Sequence, residues 1–294
     1  IADAFTFGRG AVARADGTVY PGSLHDIRGA RPAPGDPARA PRIAGRAILA
    51  TVVGTGNYGH WLVDVLPRIS WMRREMDLAD APVIVHEVSP PVVFDMLAAI
   101  GVPRAQVHVI GDRGAVCEEL VVCSLWSHGP KTHRHEVFAE LTRFTAAMRG
   151  AAPRRRWWQR RRDRDYPERV FLAREDASNR FLTNAAALEA RLVADGFVKF
   201  NTGKLPLIEQ IELFDAAREV VAIAGASLTN MLFCQPGYRL TMLAPRSMPA
   251  IFFWDLAHHT EAGFLAAHYG VADNPKAGIK SDFSVDLDSV WAPS

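Results

Sequence analysis

Residues 47–74 read AILATVVGTGNYGHWLVDVLPRISWMRR. The opening run, 47–53, is apolar and ends in the β-formers Thr51, Val52 and Val53, as a buried strand does. Glycines at 54, 56 and 59 then break the run. Beyond them the apolar spacing becomes helical. Trp61, Leu62, Val65, Leu66, Ile69 and Met72 fall on one side at i, i+3 and i+4 intervals. His60, Asp64 and Arg68 recur every fourth residue, a polar stripe beside that apolar face. Strand, glycine turn and helix form the repeating unit of an α/β fold, here with titratable groups near the start of the helix.

Two chemistries compete for this segment. Gly54, Gly56 and Gly59 spell G-x-G-x-x-G after a strand and before a helix, the setting of a dinucleotide site. Against that, Asn57, Tyr58, His60 and Trp61 crowd the turn where a pyrophosphate would approach. The acid expected about 20 residues further on is also absent, Glu87 coming later. The other chemistry is acid–base work: Asp64 orients His60, or itself accepts a proton from a hydroxyl. The pair also has the spacing of two ligands on one metal, but a third ligand is missing because position 68 is a cation, Arg68. The plain structural alternative is an ion pair between Asp64 and Arg68 on the helix surface.

The same alternation continues outward. Strands are expected at 81–86, 107–110 and 119–123, with helices at 92–100 and 135–149. Upstream, residues 1–45 are rich in Gly, Pro, Ala and Arg, so short strands at 5–7 and 18–20 amid turns are expected there. Downstream, 151–168 breaks the pattern with seven arginines between Arg154 and Arg164 and the pair Trp157–Trp158. A run of that kind reads as a solvated linker, and its aromatics add an expected contact with a membrane surface through 154–164. A second succession follows: strands at 169–173, 197–200, 219–224 and 239–243, helices at 184–195 and 206–217, a helix opening at 228, a long helix at 251–268 and an alternating tail from Asp282. The expected organisation is an α/β domain over 1–150, a linker over 151–168 and a second α/β domain over 169–294.

Composition fits this picture. The chain has 294 residues, 49% of them apolar and 22% charged, and a formal net charge of +2. It is long enough for two cores, and no global basic field argues for nucleic acid. Three scattered cysteines, Cys117, Cys123 and Cys234, make no disulfide framework or C-x-x-C pair and suit a reducing compartment. No uninterrupted apolar segment approaches a membrane span, and the first residues lack a signal-peptide pattern.

A second functional segment is EVVAIAGASLTNMLF, 219–233. A buried strand breaks at Gly225, and Ala226, Ser227, Thr229 and Asn230 open a helix whose free N–H groups suit a diphosphate. Ser227 serves equally as a plain N-cap. Arg174, at the end of the first strand of this half, and Arg180 beyond it add guanidinium forks for phosphate oxygens.

These two segments fit one family. NYGHWLVDVLPR, 57–68, resembles the N-x-x-HW-x-x-D-x-LPR signature of glycosyltransferase family 61, which includes bacterial capsular-polysaccharide transferases. RVFLAREDASNR resembles its arginine strand and loop, and IEQIELFDAAREVVAIAGASLTNMLFCQPG resembles its later block. Where the family carries a histidine before Gly-Ala, this chain has Ala224, and Ala185 replaces a glutamate of the arginine loop. The resemblance implies a GT-B fold of two Rossmann-like domains facing a cleft. It also implies an inverting hexosyl- or pentosyltransferase that needs no metal or other cofactor and acts in cell-surface or capsular polysaccharide synthesis. The donor would be a nucleotide-sugar, UDP-linked, and the acceptor a saccharide. Asp64 and His60 would carry the chemistry. Arg174, Arg180, Gly225, Ala226, Ser227, Thr229, Asn230 and Glu209 would hold the donor, with Asn57 and Arg68 on the acceptor side. The expected location is cytoplasmic, peripheral to the inner membrane face. A non-catalytic relative that binds nucleotides or glycans is the alternative, motivated by Ala224. An NAD-dependent epimerase or dehydrogenase rests on the Gly54 motif alone. Donor sugar, linkage and oligomeric state are left open by the residues.

Overall fold

The computed structural model describes residues 1–23, 36–51, 54–128, 132–151, 166–174, 179–248 and 251–291. Most of the arginine-rich linker, and with it the expected membrane contact, lies outside the described residues. The protein is mixed α/β, with two parallel-rich sheets in two compact units. One unit comprises Ile1–His128 and Arg134–Ala151, the other Gly129–His133 and Ala152–Ser294.

The sheet of the first unit contains β1 (Ala2–Phe7), β2 (Ala11–Ala13), β3 (Arg42–Leu49), β4 (Val83–His86), β5 (Val107–Ile110) and β6 (Ala115–Val121). Its order is β2-β1-β6-β3-β4-β5. Strands β3 to β6 pair in parallel, while β1 runs antiparallel to both β2 and β6. Because β6 returns to the far side of β3, the strand order reverses at β3. Such a reversal opens a crevice at the carboxyl ends of parallel strands, and the Gly54 turn follows β3. The strand spans 42–49 rather than the expected 47–53, of which 52 and 53 lie outside the described residues. Of the expected strand at 18–20, only a single bridge from Ala13 to Val19 forms.

The helix after the turn is not uniform. It begins as α1 (Tyr58–His60), widens to a π-helix over Trp61–Val65, and resumes as α2 (Leu66–Glu75). The cause is in the sequence. Pro67 offers no N–H, and its ring would crowd the preceding carbonyls of a regular helix. The ladder therefore widens, with the Leu66 N–H reaching Trp61 O. The apolar face is buried as its spacing predicts: Trp61, Leu62, Val65, Leu66, Ile69 and Met72 all lie in the core. Helices α3 (Val93–Ala99) and α4 (His135–Ala151) complete the unit. Two short strands, β7 (Ser127–His128) and β8 (Thr132–His133), precede α4.

The second sheet contains β9 (Arg169–Leu172), β10 (Val198–Phe200), β11 (Glu219–Ile223), β12 (Arg239–Pro245), β13 (Phe264–Ala272) and β14 (Phe283–Ser284). The order is β10-β9-β11-β12-β13-β14, parallel throughout except for β14 against β13. Here the order reverses between β9 and β11. Helices α5 (Ala185–Ala194), α6 (Leu207–Ala216), α7 (Ile251–His259) and α8 (Leu287–Trp291) connect or follow the strands. Phe171, Leu188, Leu192, Val221, Ile223, Leu243 and Phe283 form its core cluster.

Two expectations for this half are corrected. The long helix at 251–268 ends at His259, and Phe264–Ala272 is instead a strand paired along β12. The break falls at Glu261, which takes φ 53°, and at Gly263, whose missing side chain lets it lie against the Gly237 backbone. Tertiary pairing outweighs the helical look of the run FLAAH. The helix expected to open at 228 is a 3-10 helix over Ala226–Phe233. Its tighter turns close through backbone bonds such as Leu228 N–H to Gly225 O, and side chains add to them.

Candidate functional site

In the first unit the Gly54 turn and the π-segment set the polar groups. Asn57 caps α1, its side-chain oxygen accepting the Gly59 N–H at 2.8 Å. The buried Trp61 donates Nε1–H to Thr55 O at 2.7 Å, so the indole pins the turn to the helix. His60 Nδ1 lies 2.7 Å from Asp64 Oδ2. The His60 side chain is 35% exposed and that of Asp64 only 10%. An ionised Asp64 accepts from Nδ1–H, which leaves the His60 Nε2 lone pair as the basic atom of the pair.

Arg68 differs from the sequence reading. It points inward, 5% exposed. Its Nε donates to Asp64 O, and Nη1 donates to Cys123 O at 2.7 Å. Burial pushes its guanidinium pKa down, while the nearby Cys123 and Asp64 pull it back up. The carboxylate of Asp64 therefore pairs with His60, while Arg68 takes the backbone carbonyls of Asp64 and Cys123. Arg68 buttresses the π-segment from behind instead of facing an acceptor. The stripe His60–Asp64–Arg68 was legible in the sequence; the division of labour within it depends on the π-turn, which a 3.6-residue period cannot anticipate.

In the second unit the cations gather at the reversal between β9 and β11. Arg174 stands just past β9, and Gly225 just past β11. Gly225 is fully extended, at φ −179°. A Cβ there would collide with Arg174 Nη1, so the guanidinium packs directly against the glycine. Among the described residues Arg174 Nε is buried without a hydrogen-bond partner, and Arg174 Nη2 makes a long contact, 3.3 Å, with Asn179 O. Arg180 is held more firmly: Nη1 donates to Ala224 O and Nε to Ile279 O, both at 2.7 Å. Burial lowers the pKa of both guanidiniums, Arg180 to about 10 with a further push from Arg174. Two like charges, partly desolvated and close enough to repel, make a place that an oxyanion would relieve.

The turn after Gly225 is built from within. The buried Thr229 hydroxyl donates to Ala226 O at 2.6 Å. The buried Asn230 amide donates to Gln210 Oε1 at 2.8 Å, and Gln210 in turn donates to Leu205 O. Thr229 and Asn230, expected to face the donor, thus brace the turn. Ala226 and Ser227 are half-buried at its mouth, and Glu209 is half-buried in the first turn of α6. Ser227 lies inside the 3-10 helix, and the cap position falls to Gly225.

A cavity of about 630 Å³ opens elsewhere on this sheet, over Arg169, Glu219, Arg239 and Phe264 at the amino-terminal ends of the strands. Its cations are already engaged. Arg169 approaches Glu219 at 3.4 Å, and Arg239 stacks on Phe264 at 4.1 Å. Parallel sheets bind ligands at the opposite, carboxyl ends, where Arg174 and Gly225 lie. Among the described residues no group of three His, Cys, Asp or Glu is set to hold a metal ion, and no helix is long and apolar enough to cross a membrane.

The two glycines make opposite predictions. Gly225→Ala adds a methyl without backbone strain and displaces a flexible guanidinium. Anion binding should fall while Tm changes little, less than about 1 kcal/mol of stability. Gly54 sits at φ 92° with the His60 ring packed on it, a Cβ falling 2.8 Å from His60 Cδ2. Gly54→Ala should cost about 1–3 kcal/mol and move His60 as well. Thermal unfolding and calorimetry with inorganic pyrophosphate read both variants.

The family model for Glycosyltransferase 61 matches residues 58–241, which include His60, Asp64, Arg174, Arg180 and Gly225. No curated protein matches the chain. Among solved structures, the bacterial iron-containing dodecameric glycosyltransferase TibC from enterotoxigenic E. coli H10407 is similar at 12% identity and a TM-score of 0.35. The match covers 83% of this chain and 66% of that one, just under two thirds of its length.

Proposed function

This chain belongs to the glycosyltransferase 61 family, and we propose that it moves a sugar from a nucleotide-sugar to a saccharide acceptor with inversion. The observation that carries this reading is that both constellations, His60–Asp64 and Arg174–Arg180–Gly225, fall within the family-matched span. The GT-B organisation, a UDP-linked donor, independence from metal, a cytoplasmic site of action and a role in capsular or other cell-surface polysaccharide belong to the same proposal.

The division of labour follows from the groups available. Departure of a nucleoside diphosphate leaves charge on its oxygens. Arg174, whose Nε is unpartnered and whose Nη2 makes only a long contact among the described residues, and the N–H groups opening the turn at Gly225 meet that charge. Inversion needs one base on the acceptor side. His60, the more exposed member of its pair, takes the acceptor proton at Nε2. Asp64 is the positioning residue that holds its tautomer and steadies the imidazolium. The hydroxyl oxygen attacks the anomeric carbon as the bond to the diphosphate breaks, through an oxocarbenium-like transition state.

A donor panel tests the reading. Purified protein is given UDP-, GDP-, CDP- and ADP-linked sugars with oligosaccharide acceptors, and nucleoside diphosphate release and product anomeric configuration are followed by NMR. One donor should turn over with inversion. Tight nucleotide binding without turnover on any acceptor would instead support the non-catalytic relative that Ala224 motivates.

A further inference from the structure

The arginine site is completed by a segment outside the family-matched span. Residues after β13 form a 3-10 turn over Pro275–Lys280 and return as β14. Between 279 and 285 this return segment is bonded to 180–184 nearly residue by residue. Ile279 O and Lys280 O accept from the side chain and backbone of Arg180, and Asp282 Oδ1 accepts from Phe181 N. Phe283 bonds Phe181 and Thr183, and Asn184 exchanges hydrogen bonds with Val285 in both directions. Ser247 ties the turn from beneath by donating to Gly278 O at 2.7 Å. These bonds hold Arg180 at φ 62°, a left-handed conformation that a long side chain adopts only when its surroundings enforce it.

Two large apolar side chains border this keystone. Phe181, the next residue, is 40% exposed, and Ile279, whose carbonyl holds Arg180 Nε, is 47% exposed. The return segment is held by its backbone bonds, and both side chains stay open to solvent. Exposed apolar groups beside a cationic centre match a ligand with a charged half and a flat, weakly polar half. We propose that Phe181 and Ile279 contact the nucleoside half of the donor, while Arg174 takes its diphosphate. This inference rests on the donor-site reading above and adds to it the residues that select the nucleotide. It assigns Arg180 a positioning role, joining the return segment to the turn at Ala224–Gly225.

Calorimetry at fixed ionic strength separates the two halves. Wild type, Phe181→Ser, Ile279→Ser and Ile279→Leu are each titrated with UDP, GDP, CDP, ADP and inorganic pyrophosphate. Each serine variant should weaken the preferred nucleoside diphosphate about 5- to 30-fold, as expected for losing a partly buried apolar contact. Pyrophosphate affinity should stay unchanged, and Ile279→Leu should restore nucleotide binding. Unchanged nucleoside diphosphate affinity in both serine variants would overturn the inference and leave the donor site standing. So would pyrophosphate binding that falls in step, because it would mean the arginine site itself had been disturbed. A wild-type protein that binds none of the nucleotides would overturn the inference and the donor-site reading together.

Discussion

Arg174→Ala should weaken nucleoside diphosphate binding about 100- to 1000-fold, the loss expected for a paired guanidinium–phosphate contact in a partly desolvated site. The Arg174 Nε is buried without a partner among the described residues, and the side chain's only described hydrogen bond is the 3.3 Å contact to Asn179 O. Removing it takes only that long contact from Asn179 O, a half-buried residue, so the fold should keep its Tm. Arg180→Ala should behave differently. It strands the carbonyls of Ala224 and Ile279, so stability should fall along with binding. Calorimetry with UDP and inorganic pyrophosphate, run beside thermal unfolding, distinguishes the two variants. If Arg174→Ala binds both ligands as wild type does, the diphosphate lies elsewhere.

His60→Ala should lower kcat about 100- to 10,000-fold, the range of a positioned general base, with donor affinity unchanged. Asp64→Asn should also lower kcat. Its amide can donate to Nδ1 and favour the tautomer in which Nε2 carries the proton and cannot accept another. The separation matters more than the size of either effect: variants of the 60–64 pair lose rate, and variants of the Arg174–Gly225 site lose binding. A His60→Ala enzyme with wild-type kcat would remove the base assignment, and loss of donor affinity in that variant would place His60 on the donor.

How much of this was legible in the sequence depended on whether a feature is local. The α/β alternation was, because buried parallel strands such as VIVH and EVVAI carry continuous apolar runs that need no context. So were both site segments, because glycines interrupt strands where backbone must come close to something. What could not be read needed long-range information. FLAAH looks helical by itself, and only its register along β12 makes it part of a strand. Arg68 looked like the outward end of a polar stripe, but Pro67 widens the helix and turns the guanidinium toward Cys123 O. Thr229 and Asn230 looked like open hydroxyl and amide groups, yet Ala226 O and Gln210 claim them. The role of the return segment could not be read at all, since Arg180 meets Ile279 from 99 residues away.

The glycines at 54–59 have changed meaning. Gly54 makes room for the His60 ring, and Asn57 spends its side chain on capping the helix. The proposed diphosphate site is therefore the one beside Gly225, not the G-x-G-x-x-G that first suggests a phosphate cradle. A crystal of the protein soaked with UDP tests this most directly. Diphosphate density is expected against the Arg174 guanidinium and the Gly225–Ser227 backbone, with the uridine beside Phe181 and Ile279. Diphosphate density in the Gly54–Gly59 turn, with Arg174 untouched, would contradict it.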